Sequence, residues 1–155
     1  LRGMWFGVAG AGLGGARLLV LAIAVLVATG ATWSSSALKI ECRRRLAVIG
    51  DALRRHRDDN GGACPKALLD LYPRYLSDPH ALYCPALERR YGSSDPRAAY
   101  AYNPENYSTI RPERWIVRDP GLEAHGDGGN VLPSAGRPAW LDTGQFIQSA
   151  GEAPP

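Results

Sequence analysis

The spacing of apolar positions divides this chain into three patterns. Leu18 to Trp33 is an apolar run without a single charged residue. From Ser34 to about Asn60, apolar residues recur at Leu38, Leu46, Ile49 and Leu53, with Ala37, Ala47 and Ala52 filling in. That spacing predicts one face of a helix. Arg43, Arg44, Arg54, Arg55 and Arg57 fall largely on other faces, and Asp58-Asp59-Asn60-Gly61-Gly62 supplies a stop. No turn signal separates run from helix, so the two read as one continuous rod. Beyond Asn60 the pattern breaks into short pieces. Pro65 to Tyr72 predicts a short helix with proline in its first turn. His80 to Pro85 reads as a short apolar strand or turn, and Glu88 to Arg97 as an exposed polar loop. Ala99 to Tyr102 alternates in strand fashion, and Arg114 to Arg118 is a clearer strand closed by Asp119-Pro120-Gly121. Gly126 to Gly129 predicts a turn, and Asn130–Leu132 with Pro138–Leu141 a hairpin. Strands that follow helices, rather than alternate with them, predict an α+β fold: an N-terminal membrane helix, continued as a long helix, packed on a small antiparallel sheet with long loops.

The expected organisation is therefore an apolar N-terminal segment and membrane anchor at 1–33 and a juxtamembrane helix at 34–62. A small α+β domain at 63–150 and a tail at 151–155 follow. The anchor residues are Leu18, Val20, Ile23, Val25 and Val27, with Trp33 at the interface, where its ring is favoured. A span needs about 20 apolar residues, so part of Met4 to Ala16 would also enter the bilayer. Arg2 or Arg17 would equally serve as the basic start of a signal peptide.

Charge narrows the partners. The net charge is +3, and the positive residues concentrate at Arg43–Arg45 and Arg54–Arg57, just after the apolar run. Arg43, Arg44 and Arg45 are thus candidates for lipid-headgroup or partner contact, beside the plainer reading of a solvated face. Aromatic residues are not interleaved with them, and no nucleic acid is expected. The twelve prolines all lie at or after Pro65 and, with the glycines among them, oppose long regular elements there.

Chemistry-bearing residues are few. Cys64 and Cys84 each precede a proline and bracket a short segment. A disulfide there would stabilise by about 3 kcal/mol on the chain-entropy view; the alternative is two unpaired, half-buried thiols. Zinc is not expected, because no paired Cys-x-x-Cys occurs and His56, His80 and His125 suggest no ligand set. Asp127 and Asn130, in the glycine-rich turn, are a weak calcium candidate, since calcium prefers oxygen ligands. The plain account is a turn closed by its own side chains. No nucleophile elbow or metal signature points to an enzyme, and no cofactor is expected. The tyrosines, with Trp115 and Trp140, suit the core of a small sheet domain.

An ordered series of short motifs runs from Cys42 to Leu141: Cys42, Leu46, Ile49-Gly50, Leu53, then Asp59-Asn60-Gly61-Gly62 and Pro65. Leu71-Tyr72-Pro73, Tyr75-Leu76-Ser77-Asp78-Pro79 and Cys84-Pro85 follow, then Tyr100 and Tyr102, and Trp115 to Pro120. His125-Gly126-Asp127-Gly128-Gly129-Asn130-Val131-Leu132 and Trp140-Leu141 complete it. This series resembles the prepilin-like, type II secretion pseudopilin-type proteins. Two departures stand out. The family's aspartate and histidine after the final valine-leucine are replaced by Pro133-Ser134-Ala135-Gly136-Arg137, and no glutamate lies within Leu18–Trp33. The resemblance implies a non-enzymatic, membrane-anchored structural or assembly protein of the bacterial inner membrane. It would be single-span, with a pseudopilin-like periplasmic domain, and would act by contact with membrane lipid and other membrane-protein subunits of a multi-subunit complex. A positive-inside count points the other way, to a cytoplasmic domain; the resemblance and the Cys64–Cys84 pair favour the outside. The missing glutamate raises an alternative, an accessory single-span subunit stabilising an unrelated membrane complex, such as a bioenergetic or photosynthetic one.

Overall fold

A computed structural model describes the backbone of residues 12–107 and 112–151, and the side chains of residues 35–107 and 112–150. Helix α1 runs without interruption over Gly12–Asp59. The anchor positions Leu18, Val20, Ile23, Val25, Val27 and Trp33 lie outside the residues whose side chains are described, and so does the tail beyond Gly151. Among the described residues no helix is long and apolar enough to cross a membrane. The chain divides into two compact units, residues 1–36 and residues 37–155.

Within the second unit, α1 carries the predicted stripe. Cys42, Leu46, Ile49, Ala52 and Leu53 recur every three or four residues and are buried. The helix ends as its sequence dictates. Gly61 and Gly62 take positive φ, which only glycine adopts without strain, and Gly62 N donates to Arg57 O over 2.8 Å, satisfying a terminal carbonyl.

Four strands form one antiparallel sheet in chain order: β1 (Ala101–Tyr102), β2 (Trp115–Arg118), β3 (Gly128–Pro133) and β4 (Ala139–Asp142). The register sets Val117 opposite Leu132 and Gly129 opposite Leu141, with an irregularity between Trp115 and Val117. Val117 and Leu132 join the α1 stripe, Leu71, Leu76, Leu82, Leu87 and Tyr100 in one core. The helix lies close on the sheet at Gly50, where a Cβ would stand 3.2 Å from Leu132 Cδ1. The α+β class with a small antiparallel sheet is as the sequence predicts, and the described residues form three α-helices and four strands.

The stretch between α1 and β1 is more ordered than its composition suggests. Three Asx-Pro pairs each open a 3-10 turn. Asp78 accepts from His80 N, Asp95 from Arg97 N and Asn103 from Glu105 N, with proline filling the position whose N–H would be idle. Helix α2 (Pro85–Tyr91) replaces the loop expected from Glu88; its start is the same proline device, at Pro85. The expected helix at Pro65–Tyr72 shrinks to a 3-10 turn at Leu68–Leu71. Helix α3 (Thr143–Gly151) has no counterpart in the sequence expectation. Asp142 and Gln145 cap it reciprocally: Gln145 N donates to Asp142 Oδ1 and Asp142 N to Gln145 Oε1. Phe146 of α3 packs with Trp115 and Val131 as a second small core. Gly129 makes room for it, since a Cβ there would run into the Phe146 ring.

The stripe identifies which leucines hold the domain. Leu46→Ala should cost about 2–5 kcal/mol in denaturant unfolding of the detergent-solubilised chain. Leu69→Ala, at a side chain left 60% exposed, should change stability by less than about 0.5 kcal/mol.

Candidate metal centre

Four segments far apart in sequence deliver polar side chains to one buried point. Cys42 comes from the α1 stripe, one turn before Leu46. Cys84 immediately precedes α2; its N–H donates to Ala98 O at 2.7 Å, and its carbonyl accepts from Leu87 N and Glu88 N. Asp119 follows β2, and its N–H donates to Asn130 O across the sheet at 2.9 Å. His125 closes the turn Leu122–Ala124, its ring edge-on to Trp140 at 5.6 Å between centroids. Gly128 fixes where the chain returns to the sheet, because its φ is +149° and a Cβ would collide with the Leu141 carbonyl.

One ligand atom from each of Cys42, Cys84, Asp119 and His125 lies within 4.8 Å of all the others. The two sulfurs are 3.2 Å apart, and His125 Nε2 is 3.4 Å from Asp119 Oδ2. Cys42, Cys84 and Asp119 have no exposed surface, and the His125 side chain is 2% exposed. Asn130 holds one carboxylate oxygen: its N–H and Nδ2 donate to Asp119 Oδ2 at 2.6 and 3.1 Å. Asp119 Oδ1 and His125 Nε2, both buried, make no hydrogen bond.

The cluster perturbs its members. Contact with Cys42 and then His125 pulls the Cys84 thiol down to about 6 against its burial. Cys42 moves the opposite way, raised by the contact with Cys84 and by burial. Burial disfavours charge on His125, but Asp119 and Cys84 outweigh it and raise the imidazole to about 9. A cysteine, a histidine and an aspartate brought together are the parts of a cysteine nucleophile. Cys84 itself has no exposed surface. Two sulfurs, an imidazole nitrogen and a carboxylate oxygen are equally the donor set of a four-coordinate cation.

The sequence-predicted residues fare unevenly. Cys84 meets Cys42, not Cys64. Ala63 O contacts the ring of His56 at 3.2 Å, and His56 is fourteen residues, about 21 Å, along α1 from Cys42. Cys64 therefore starts from the wrong end of the helix, and it sits half-buried beside Tyr102, its thiol pushed up by burial. Of the three histidines, His125 stands with both cysteines of the buried pair and Asp119, a group that could hold a metal ion. Asp127 and Asn130 turn to different partners, Asp127 to the Lys39 ammonium at 2.6 Å and Asn130 to Asp119. The arginine triplet splits. Arg43 and Arg44 are exposed, Arg44 paired with Glu41 on its own helix. Arg45 is turned inward; it meets Glu88 at 2.7 Å and donates to the carbonyls of His80 and Tyr83, so it ties α1 to α2 and is withdrawn from lipid or partner contact. Sequence reasoning missed Asp119 and Cys42. Cys42 stands between Glu41 and Arg43 on α1, and Asp119 between Arg118 and Pro120, so neither carries a local signal of a shared site.

No family model, no curated protein and no solved structure matches the chain. What the fold itself defines is an α+β domain built on the C-terminal part of a long helix, with a closed Cys-Cys-Asp-His cluster at the junction.

Two outcomes are expected. In the native reduced chain a thiol reagent should label Cys64 alone, so that Cys64→Ser abolishes rapid labelling while denaturant exposes the other two thiols. Arg45→Met should destabilise by about 2 kcal/mol or more, since it strands the largely buried Glu88. Arg44→Met should shift stability by less than about 0.5 kcal/mol, as for exposed pairs; both are read from unfolding curves.

Proposed function

We propose that this protein is a membrane-anchored structural or assembly component that works by contact and not by catalysis, with a pseudopilin-like domain on the periplasmic side of a bacterial inner membrane. The observation that carries the reading is the use made of α1. One uninterrupted helix includes the apolar stretch and then supplies the core stripe Cys42, Leu46, Ile49 and Leu53 of an antiparallel meander. A long helix that doubles as the spine of a small sheet domain is the architecture the pseudopilin resemblance implies. The burial of Cys84 beneath its neighbours supports a non-catalytic role.

The face offered for contact follows α1. Ile40, 68% exposed, with Arg43, Arg44, Arg54, Arg57 and Arg137, lines a groove of about 800 Å³. Its mixture of guanidinium groups and apolar surface suits an acidic subunit face or phospholipid headgroups.

Membrane fractionation tests the reading. The intact chain should sediment with bacterial membranes, resist carbonate extraction and leave in mild detergent with other membrane-protein subunits. Ile23→Asp with Val25→Asp should release it. Recovery of the wild-type chain as a lipid-free monomer from the aqueous fraction overturns the proposal.

A further inference from the structure

We propose that Cys42, Cys84, Asp119 and His125 bind a single Zn²⁺, which pins α1 to α2 and to the sheet. This goes beyond the proposed role and does not depend on it: the site belongs to the domain whatever the domain serves.

Geometry comes first. Four donors from four segments converge within 4.8 Å, as a tetrahedral ion requires. With metal–sulfur bonds of about 2.3 Å, two thiolates of a tetrahedral site stand about 3.8 Å apart. The sulfurs here, 3.2 Å apart, need only a small opening. No donor must cross the core to reach the centre.

Satisfaction of buried groups comes next. A buried acceptor or donor without a partner costs about 1–3 kcal/mol, and more when charged. In the cluster Asp119 Oδ1 has no hydrogen bond, and His125 Nε2 has only a 3.4 Å approach to Asp119 Oδ2. A disulfide between Cys42 and Cys84 would use only the sulfurs and leave Asp119 Oδ1 unmatched. A cation uses all four groups at once. Asn130 already performs the outer task such sites need. By donating twice to Asp119 Oδ2 it orients the carboxylate and leaves Oδ1 as the ligand atom.

The donor set then selects the ion. Two sulfurs and one imidazole exclude calcium and magnesium, which take oxygen. Zinc accepts sulfur, nitrogen and carboxylate oxygen together in four-coordinate sites. All four positions are filled by protein and no member presents a usable surface, so the site is of the closed, structural kind. Cys42 and Cys84 are 42 residues apart, so the ion closes a long loop between α1 and α2. Ligands must shed protons to bind, which couples loading to folding.

The test uses the full chain in mild detergent, isolated without added oxidant. Elemental analysis should find one zinc per chain. Removing it with a strong chelator should lower the thermal midpoint, and adding Zn²⁺ back should restore it. In the reduced, metal-free chain Co²⁺ should give a thiolate-to-metal charge-transfer band and tetrahedral d–d bands. Cys84→Ser should weaken or abolish the charge-transfer band, and His125→Gln should lower Co²⁺ affinity at least tenfold. Cys64→Ser should leave both unchanged. Should the variants not fold, the wild-type cobalt spectrum decides alone. A Cys42–Cys84 disulfide in freshly isolated protein, or a cobalt spectrum without a thiolate band, overturns the proposal. Membrane fractionation is a separate measurement, so failure here leaves the proposed function standing, and the converse also holds.

Discussion

The contact of Gly50 with Leu132 sets the distance between helix and sheet, and the rest of the domain is built around that spacing. A Cβ at position 50 would stand 3.2 Å from Leu132 Cδ1, so the Leu132 side chain would have to give by a few tenths of an ångström. Dense packing transmits such a shift, because interiors hold few voids to absorb it. With the layers at this distance, Leu46 and Ile49 reach Val117 and Leu132 in one core. Two turns before Gly50, Cys42 meets Cys84 at the start of α2, with the sulfurs 3.2 Å apart. The stripe of α1 thus serves both the apolar core and the polar cluster.

The cluster is unusual in what it asks of the interior. Burying ionisable groups is costly unless each is paired. Asn106 Nδ2 donates to Trp115 O and Asn130 holds Asp119, although Asn106 Oδ1, Asn130 Oδ1 and two nitrogens of Arg118 are buried without a hydrogen bond. Sulfur, imidazole and carboxylate meet with Asp119 Oδ1 likewise unmatched. A fold does not gather such groups from four segments by chance of packing alone, since apolar residues of similar volume would fill the space at less cost. The convergence of two sulfurs, an imidazole and a carboxylate within 4.8 Å sets the cluster apart from the core around it.

The surface shows a similar division of labour within one run of like residues. Arg45 faces inward, neutralises Glu88 and closes two carbonyls, so its role is internal. Arg43 and Arg44, on the other side of the helix, remain at the surface and line the groove. Helical periodicity alone separates neighbours in this way, as each residue is rotated about 100° from the last. A basic triplet read as one patch is two functions on two faces.

Local pattern determined much of this protein. The stripe from Cys42 to Leu53, the glycine stop after Asp59, the strand at Trp115–Arg118 and the hairpin of β3 and β4 all follow from spacing and turn chemistry, because each depends on residues within a few positions. Helices α2 and α3 were not expected, although Pro85 at the first position of α2 and the Asp142–Gln145 box ahead of Phe146 are local signals for them. Tertiary structure alone decided the partners. Two cysteines beside prolines suggested Cys64 with Cys84, yet the length of α1 carries Cys64 away and brings Cys42 in its place. His125 and Asp119 lie in turns whose sequence speaks only of glycine and proline. Which of these residues would share a site depended on how closely a helix could approach a sheet, and that distance is written nowhere in the local sequence.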